Sequence, residues 1–453
     1  MYGMKLGEVS IEQILSALAT VLGLLIAVVL GIQGDGSSHP APPASETTVT
    51  SSIAPVPSST APAPTPTSTT AAPTPTSTTA APTMIPDWPS LDNREKLVAE
   101  SLERRGNQIG TGGKPAIALR FDHYLGQFGT NVLPLLEQHR IPWSQAINSS
   151  TVNTRKDPWT WNQLAEAAHT TGGEIWNHSR THQNFATKED AYSEVVGGLN
   201  DLHENLPTLR IDGWIAPGVT DAMGMQWPAS MSRYTDTYPG RLVLDNHTFV
   251  RASFPGVLHP LDGTRLIGQT HYGIEDKTFP QIKHKIDEAV ETGSGLTLMM
   301  HPWRVGTSTG ISHADLESTI EYLAQLRDED RIEIASGTGI LMAQANQPEH
   351  VNNLLDVPEE GEINGQVVST ISDLQRTGGV IHEAEAWVTG AGNATIRVEV
   401  DSPTHPLTVE FTGELTDAPT RLSVVLTPPS DATATRVSII GGSTYSGWSY
   451  QPI

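Results

Sequence analysis

The chain has no cysteine among its 453 residues. Disulfides and thiolate metal sites are therefore excluded, and any metal ion must be held by histidine, aspartate or glutamate. Basic residues are also scarce, since 27 Lys and Arg stand against 50 Asp and Glu for a net charge of −23. Because phosphate neutralisation needs a cationic face, we expect no nucleic-acid partner. The length suits two or three domains.

Charged residues are absent from the apolar stretch 14–33. Twenty helical residues cover about 30 Å, the thickness of a bilayer core. We interpret residues 1–35 as a hydrophobic transmembrane segment, which predicts a membrane-anchored protein working at the cell surface. A cleaved signal peptide, and hence a secreted protein, is the main alternative. A buried helix of a virion or oligomer, and hence a virion-associated protein, is another.

Residues 36–90 have little that could form a core. Pro, Thr, Ser and Ala dominate, Glu46 is the only charged residue between 36 and 83, and the nonapeptide at 63–71 is repeated at 72–80. Such a composition favours an extended, disordered linker with polyproline II character. It would hold the following domain at a distance from the membrane.

Short apolar runs alternate with amphipathic ones between residues 91 and 350. The expected strands are 115–121, 141–147, 173–177, 211–216, 241–244, 295–300 and 331–335. The expected helices are 129–140, 160–170, 188–206, 279–291, 313–327 and 340–346. Repeated strand–helix units of about 30 residues indicate a parallel sheet with crossover helices. Seven or eight such units favour an α/β fold of the (β/α) barrel type.

The pattern changes in the last part of the chain, 357–453. Residues 395–400 alternate with period two, and similar short runs stand at 407–411, 422–426 and 436–440. This pattern predicts a small C-terminal β-sandwich domain. Trp448 and Tyr450 are candidates for carbohydrate binding, and a structural or assembly role of the domain is an equal alternative.

Ligand-type side chains follow the ends of several predicted strands, where the chemistry of a parallel barrel is located. They are Asp122 and His123 after the first strand, His178 and His182 after the third, Asp245 after the fifth and His301 after a late strand. His178 and His182 are four residues apart, a spacing that lets two imidazoles reach one metal ion. Several such residues on one rim favour a shared site.

The motifs in this region resemble those of the polysaccharide deacetylase family, carbohydrate esterase family 4, with its NodB homology domain. Residues 178–182 read His-Ser-Arg-Thr-His and match the second motif, His-Ser/Thr-x-x-His. Residues 120–124 match the first motif, Thr-Phe-Asp-Asp-Gly, only in part, and a late strand ends in His301. The resemblance covers roughly 110–345. It implies a distorted (β/α) barrel and metal-dependent removal of N-acetyl groups from a peptidoglycan or chitin-like polysaccharide.

The resemblance also implies roles for individual residues. Asp122 would be the general base, and His178 and His182 would bind the metal. His123 stands where the family has a second aspartate, and three neutral imidazoles with an open position form a zinc geometry, so zinc is the expected divalent ion. We expect His301 to protonate the leaving amine and the backbone near Tyr124 to stabilise the oxyanion.

Other positions leave alternatives open. Asp245 is a candidate for orienting His301, or an ordinary turn residue. The third motif, Arg-x-Pro, has lost its arginine at 215–217, and Arg120 or Arg251 could replace it. These departures favour the alternative function, a catalytically altered module that binds glycan as a surface, adhesion or phage tail-associated protein. Trp143, Trp176 and Trp303 lie near strand ends, where core packing is favoured over sugar stacking.

Overall fold

A computed structural model describes most of the chain beyond residue 108. The described residues are 96, 109–218, 231–252, 256–262, 267–349, 351, 353–358, 360–372, 381–416 and 418–453. The predicted transmembrane segment 1–35 and linker 36–90 lie outside these residues. Within them, no helix has both the length and the apolar character needed to cross a membrane.

The N-terminal part of the described region is built on strands that are mostly short. In chain order they are β1 (Ile109–Gly110), β2 (Ala116–Asp122), β3 (Trp143–Ile147), β4 (Gly173–Asn177), β5 (Gly213–Trp214), β6 (Phe249–Arg251), β7 (Leu258–His259), β8 (Gly268–Gln269), β9 (Tyr272–Gly273), β10 (Gly295–Met300), β11 (Glu333–Ala335) and β12 (Ala343–Gln344). Ten of them form one sheet with the order β7-β10-β2-β3-β4-β5-β6-β8, in which β11 also pairs with β2 and β9 with β10. All pairs in this sheet are parallel except β7–β10. The sheet is nearly closed and barrel-like, and with the helices that connect its strands it forms an α/β fold.

Helices connect these strands. They are α1 (Leu125–Asn131), α2 (Leu133–His139), α3 (Trp161–Thr171), α4 (Lys188–Tyr192), α5 (Gly198–Asn205), α6 (Met231–Asp236), α7 (Tyr238–Asn246), α8 (Phe279–Thr292), α9 (His313–Asp328) and α10 (Gly339–Met342). The structure confirms several expected elements to within one residue at either end. They are the strands 173–177 and 295–300 and the helices 160–170, 279–291 and 313–327. A π-helical turn, Ser193–Gly197, joins α4 to α5.

The expected strand at 241–244 is wrong, because these residues belong to helix α7. Thr237 caps this helix by accepting a hydrogen bond from the backbone of Gly240, and Pro239 occupies its first turn. Residues 239–244 are buried on every side. A short apolar run of this kind has no period that distinguishes a buried helix from a buried strand.

Two buried tryptophans fix the packing between neighbouring strands. Trp143 lies opposite Gly173 in the β3–β4 register, and Trp176 lies opposite Gly213 in the β4–β5 register. A Cβ atom on Gly173 would come within 2.2 Å of the Trp143 ring, and one on Gly213 within 2.1 Å of the Trp176 ring. Core packing is therefore the role of Trp143 and Trp176, as expected.

Residues 361–452 form two four-stranded antiparallel sheets. One has the order β13 (Gly361–Glu362), β20 (Thr444–Pro452), β15 (His382–Thr389), β18 (Thr420–Leu426), and the other β14 (Gln366–Ile371), β19 (Ala434–Ile440), β16 (Asn393–Asp401), β17 (Leu407–Glu414). Both contribute to one hydrophobic cluster. Trp448 and Tyr450 are 0% exposed within it, so the suggestion that these two side chains bind carbohydrate is wrong.

His169 connects the barrel to the C-terminal sheets. This buried residue of α3 has its Nδ1 2.6 Å from the carbonyl oxygen of Thr427, which follows β18. Its Nε2 lies 3.0 Å from the hydroxyl of Thr208. Nδ1 must donate to the carbonyl, and burial lowers the pKa of His169 to about 4, so the ring is neutral near pH 7 and its Nε2 accepts from the hydroxyl.

Candidate active site

A cavity of about 510 Å³ opens at the carboxyl ends of the barrel strands. Its lining includes five of the residues that the sequence singled out: Asp122, His123, His178, His182 and His301. They come from the ends of β2, β4 and β10, whose parallel alignment places their carboxyl ends at one edge. The structure thus brings together five of the six side chains that the strand-end argument grouped, and Asp245 is the exception.

Asn148 orients two of the histidine rings. Its Nδ2 donates to the carbonyl oxygen of His178, which can only accept, and this fixes which way the amide faces. The Asn148 Oδ1 therefore lies toward His123, 2.6 Å from Nδ1, and accepts a hydrogen bond from the N–H of that nitrogen. His178 uses its own Nδ1 in the same way, 2.8 Å from the carbonyl oxygen of Ile215. Both rings consequently present an Nε2 lone pair to the cavity.

This donor set fits a metal ion. The Nε2 atoms of His123 and His178 are 3.0 Å apart, and the ligand atoms of His123, His178 and His182 all lie within 4.8 Å of one another. Nitrogen ligands of one tetrahedral zinc ion lie roughly 3.3 Å from each other. Burial lowers the pKa of His123 to about 4 and holds that of His178 well below its usual range, so there is no proton for the facing lone pairs to share near neutral pH. A cation suits this arrangement.

The turn that carries His182 is held by its own polar groups. The Ser179 hydroxyl accepts a hydrogen bond from the backbone N–H of His182 at 3.0 Å. Glu194 accepts from the backbone N–H and the hydroxyl of Thr181, at 2.9 and 2.6 Å. Glu194 lies in the π-helical turn, an irregularity often found beside functional sites. The hydroxyls of Ser179 and Thr181, which lie between the two histidines in sequence, therefore stabilise this turn.

Backbone strain is concentrated at this site. Seven described residues other than glycine have positive φ, and four of them belong to it: His123, Tyr124, Ser179 and His182. Side chains other than Gly, Asn and Asp adopt this conformation at a cost, and such residues cluster where function constrains the chain. The strain supports a functional role for both motif segments.

Asp122 is paired with an arginine of its own strand. Arg120 Nε and Nη2 lie 3.0 and 3.2 Å from the two carboxylate oxygens of Asp122. Burial alone would raise the pKa of Asp122, but Arg120 and the neighbouring histidines outweigh it and hold the pKa below the usual range. Asp122 is therefore ionised near neutral pH. Of the two arginines considered as substitutes for the missing motif-three arginine, Arg120 makes this contact.

His301 is oriented by Glu275 rather than by Asp245. The Glu275 carboxylate is 2.6 Å from His301 Nδ1 and also accepts from the backbone N–H of His301 at 3.1 Å. Burial lowers the pKa of His301, but Glu275 and Asp122 more than offset this and leave the pKa above its ordinary value. Asp245 lies inside helix α7 and not at a strand end, so the basis for its expected orienting role is wrong.

Tyr124 and Trp303 complete the mouth of the cavity. Among the described residues, the backbone N–H of Tyr124 has no hydrogen-bond acceptor, which leaves it available to a ligand. The Tyr124 and Trp303 rings are 5.8 Å apart, and Trp303 is 39% exposed, unlike the buried Trp143 and Trp176. Core packing, the expected role for Trp303, is therefore wrong, because its ring is open to solvent beside the cavity.

Sequence reasoning missed three residues that hold the site in place. Asn148 directly follows strand β3, so the strand-end rule could have found it. Glu275 follows β9, whose two residues give no recognisable strand pattern. Glu194 lies inside a helical stretch, where the sequence shows no sign of the π-helical turn.

Residues 109–206 match the family model described as polysaccharide deacetylase. This segment includes Asp122 and the three clustered histidines but ends before His301. No curated protein matches the chain. The resemblance predicted from the motifs is thus confirmed for the part of the barrel that carries β2, β3 and β4.

Several solved structures are similar to the chain. The catalytic domain of a peptidoglycan N-acetylglucosamine deacetylase from Eubacterium rectale is 14% identical, with 54% of this chain and 97% of that chain covered at a TM-score of 0.33. A family 4 carbohydrate esterase from Bacillus anthracis is 16% identical, with 53% and 89% covered at a TM-score of 0.29. A mutant of a family 4 pseudoenzyme with restored activity is 14% identical, with 52% and 70% covered at a TM-score of 0.31.

Proposed function

We propose that this chain hydrolyses N-acetyl groups of a cell-wall or related polysaccharide, because residues 109–206 match the polysaccharide deacetylase family model. The observation that carries the proposal is the shared cavity, in which an ionised carboxylate, three clustered imidazoles and a carboxylate-paired histidine face one space. Its volume of about 510 Å³ is within the usual range of small-molecule pockets.

His123, His178 and His182 would hold a divalent ion, and three imidazoles with an open position favour zinc. Such an ion polarises a carbonyl group and acidifies water, which is the chemistry that amide hydrolysis needs. Because His123 replaces a carboxylate, the protein contributes no negative charge through these three ligands.

Asp122 is suited to removing a proton from the attacking water. Its carboxylate is ionised near neutral pH because Arg120 holds its pKa down. The two hydrogen bonds from Arg120 also fix the plane of the carboxylate. A low pKa makes Asp122 a weak base, so its contribution depends on position and on the acidity of the water.

Tyr124 and His301 would act on the two ends of the scissile bond. The available N–H of Tyr124 would donate to the oxyanion that forms on the acetyl carbonyl. Glu275 holds His301 by its Nδ1, so Nε2 is left to donate a proton to the departing amine. Glu275 also raises the pKa of His301, which keeps the ring protonated over more of the neutral range.

The proposal is tested with the purified full chain by two measurements made together. We expect close to one equivalent of divalent metal by elemental analysis, and acetate release from N-acetylglucosamine oligomers or peptidoglycan. Asp122→Asn should retain the metal and lose acetate release by roughly 10²–10⁴-fold. Absence of bound metal, or acetate release that is the same in the Asp122→Asn protein, would contradict the proposal.

A glycan-binding module without activity is the second candidate, and the presence of His123 at a carboxylate position favours it. This function predicts retention on a polysaccharide column together with no acetate release, whether or not metal is bound. His123→Asp separates the two candidates further. If that substitution creates activity where the natural chain has none, the natural protein is a binding module.

We also propose that the protein is displayed at the cell surface. The support comes from the sequence alone, through the apolar stretch within 1–35 and the linker at 36–90. Fractionation of the producing cells tests this localisation. Recovery of the full-length chain in the culture medium or in the soluble cell fraction, rather than with membranes, would contradict it.

A further inference from the structure

Arg251 is a cation at the edge of the same cavity that the proposed chemistry leaves unused. It is the last residue of β6, it is partly buried, and it lines the cavity with Asp122 and the histidines. Its backbone is held by Tyr234, whose hydroxyl donates to the Arg251 carbonyl at 2.6 Å. Among the described residues, its guanidinium has no hydrogen-bond or ion-pair partner.

The other charges around Arg251 are already matched. Among the described residues, Asp122 is the only carboxylate that lines the cavity, and both of its oxygens accept from Arg120. His271 lies 3.3 Å from Arg120 Nη2, and burial together with Arg120 and Arg251 lowers its pKa to about 3, so it is neutral. The His301 ring has its own carboxylate in Glu275. Among the described cationic side chains that line the cavity, the guanidinium of Arg251 is therefore the one that has no carboxylate paired with it.

An unpaired guanidinium in a partly buried position is unfavourable until an anion reaches it. Arginine is suited to carboxylates, because its planar fork donates two parallel hydrogen bonds to the two oxygens. The chain as a whole carries a net charge of −23, which repels polyanions at long range. Recognition of an acidic group must therefore be local, and a single partly buried arginine at the cavity provides it.

We propose that Arg251 binds a carboxylate of the substrate, so that the preferred substrate is an N-acetylated sugar with an acidic substituent close to its acetamido group. The inference rests on the proposed deacetylase function for the identity of the sugar. It makes Arg251 a residue that determines specificity, whereas Arg120 positions Asp122. A substrate carboxylate would supply the counter-charge that the cavity lacks.

The test compares acids with their uncharged amides, which have nearly the same shape. Acetate release is measured from N-acetylmuramic acid and from its carboxamide. Binding is measured by calorimetry with two pairs that have no acetyl group to lose, namely muramic acid with its carboxamide and D-glucuronate with D-glucuronamide. Each measurement is made on the natural full-length chain and on the full-length variants Arg251→Gln and Arg251→Lys. The control is Arg397→Gln, since Arg397 of β16 lies far along the chain and pairs with Glu410 at the surface.

We expect the natural chain to prefer the acid at least about tenfold, in line with a hydrogen-bonded charge pair. Arg251→Gln should abolish this preference, Arg251→Lys should keep part of it, and Arg397→Gln should keep all of it. If the natural chain prefers neither acid to its amide, the inference is wrong, and this result needs no variant to fold. It is equally wrong if the preference survives in Arg251→Gln.

Failure of this inference is distinguishable from failure of the proposed function. Equal acetate release from the acid and the carboxamide would overturn the role of Arg251 and leave the deacetylase intact. Acid binding that depends on Arg251, with no acetate released from any substrate, would support the carboxylate site and overturn the deacetylase.

Discussion

Arg120 and Asp122 form a two-point ion pair between residues of one strand, with contacts of 3.0 and 3.2 Å. Alternate residues of a strand face the same side, so both side chains enter the barrel from β2. Arg120 is 1% exposed, and a buried charge of this kind is stable only when it is paired. A single strand therefore supplies both the candidate base and the cation that keeps it ionised.

The first prediction concerns Arg120→Gln. After burial, which raises the pKa of Asp122, Arg120 is the largest influence and lowers it, so removing the arginine should raise the pKa. The acidic limb of the pH profile of kcat/KM should move to higher pH, because Asp122 must be ionised to act as base. Arg120→Lys should move it less. An acidic limb that stays in place would refute this role.

The second prediction is that Glu275→Gln shifts the basic limb of the pH profile of kcat/KM. Glu275 raises the pKa of His301, so its loss lowers that pKa and moves the basic limb of the pH profile to lower pH, where a protonated His301 is still present. The matched control is Asp276→Asn, the exposed neighbour that pairs with Lys277. Equal shifts in the two variants would show that the effect is one of general surface charge.

Asn148→Ala should weaken metal binding. Loss of the amide removes the acceptor for His123 Nδ1 and the donor to the His178 carbonyl. Loss of such an outer partner typically costs roughly 10–100-fold in metal affinity. Competition with a chromogenic chelator measures this change. His284→Ala, at an exposed position of α8, should have no effect, and unchanged affinity in Asn148→Ala would contradict the assignment.

Gly213→Ala should destabilise the barrel. The added Cβ would lie 2.1 Å from the Trp176 ring, which is 1% exposed and therefore surrounded by other residues. Overpacking of this kind costs about 1–3 kcal/mol. Urea unfolding of the two proteins measures the difference. Gly273→Ala, where a Cβ would meet nothing within 4 Å, is the control and should unfold like the natural chain.

His169 should make the stability depend on pH. Burial lowers its pKa from 6.5 to about 4, so its neutral form is favoured in the folded state. The associated stabilisation, on the order of 3 kcal/mol, is fully present above about pH 6.5 and is lost as the pH falls through 4. His169→Asn should flatten this dependence in urea unfolding at pH 7, 5 and 4. A dependence as steep as in the natural chain would exclude His169 as its cause.

The residues that face the cavity could be predicted from the sequence better than the residues that orient them. Asp122, His178 and His301 stand directly after clear apolar runs, and the ends of parallel strands meet at one edge, so their proximity followed from the pattern. Glu275 could not be found in this way. It depends on β9, which has only two residues and owes its pairing with β10 to the tertiary fold.

The helix at Tyr238–Asn246 shows a second limit. Its short apolar run is buried on all sides, so neither helical nor strand periodicity is visible. The cap at Thr237 and the proline after it were the local signals for a helix, and they are stronger evidence than the apolar run. The misplacement of Asp245 followed from that single error.

The amide of Asn148 also bears on how an ion would enter the site. It holds the rings of His123 and His178 in the ligating orientation through contacts within the protein, so the entropy of ordering them is lost during folding. An ion would then meet two imidazoles that are already ordered, with the ring of His182 as the third member of the set.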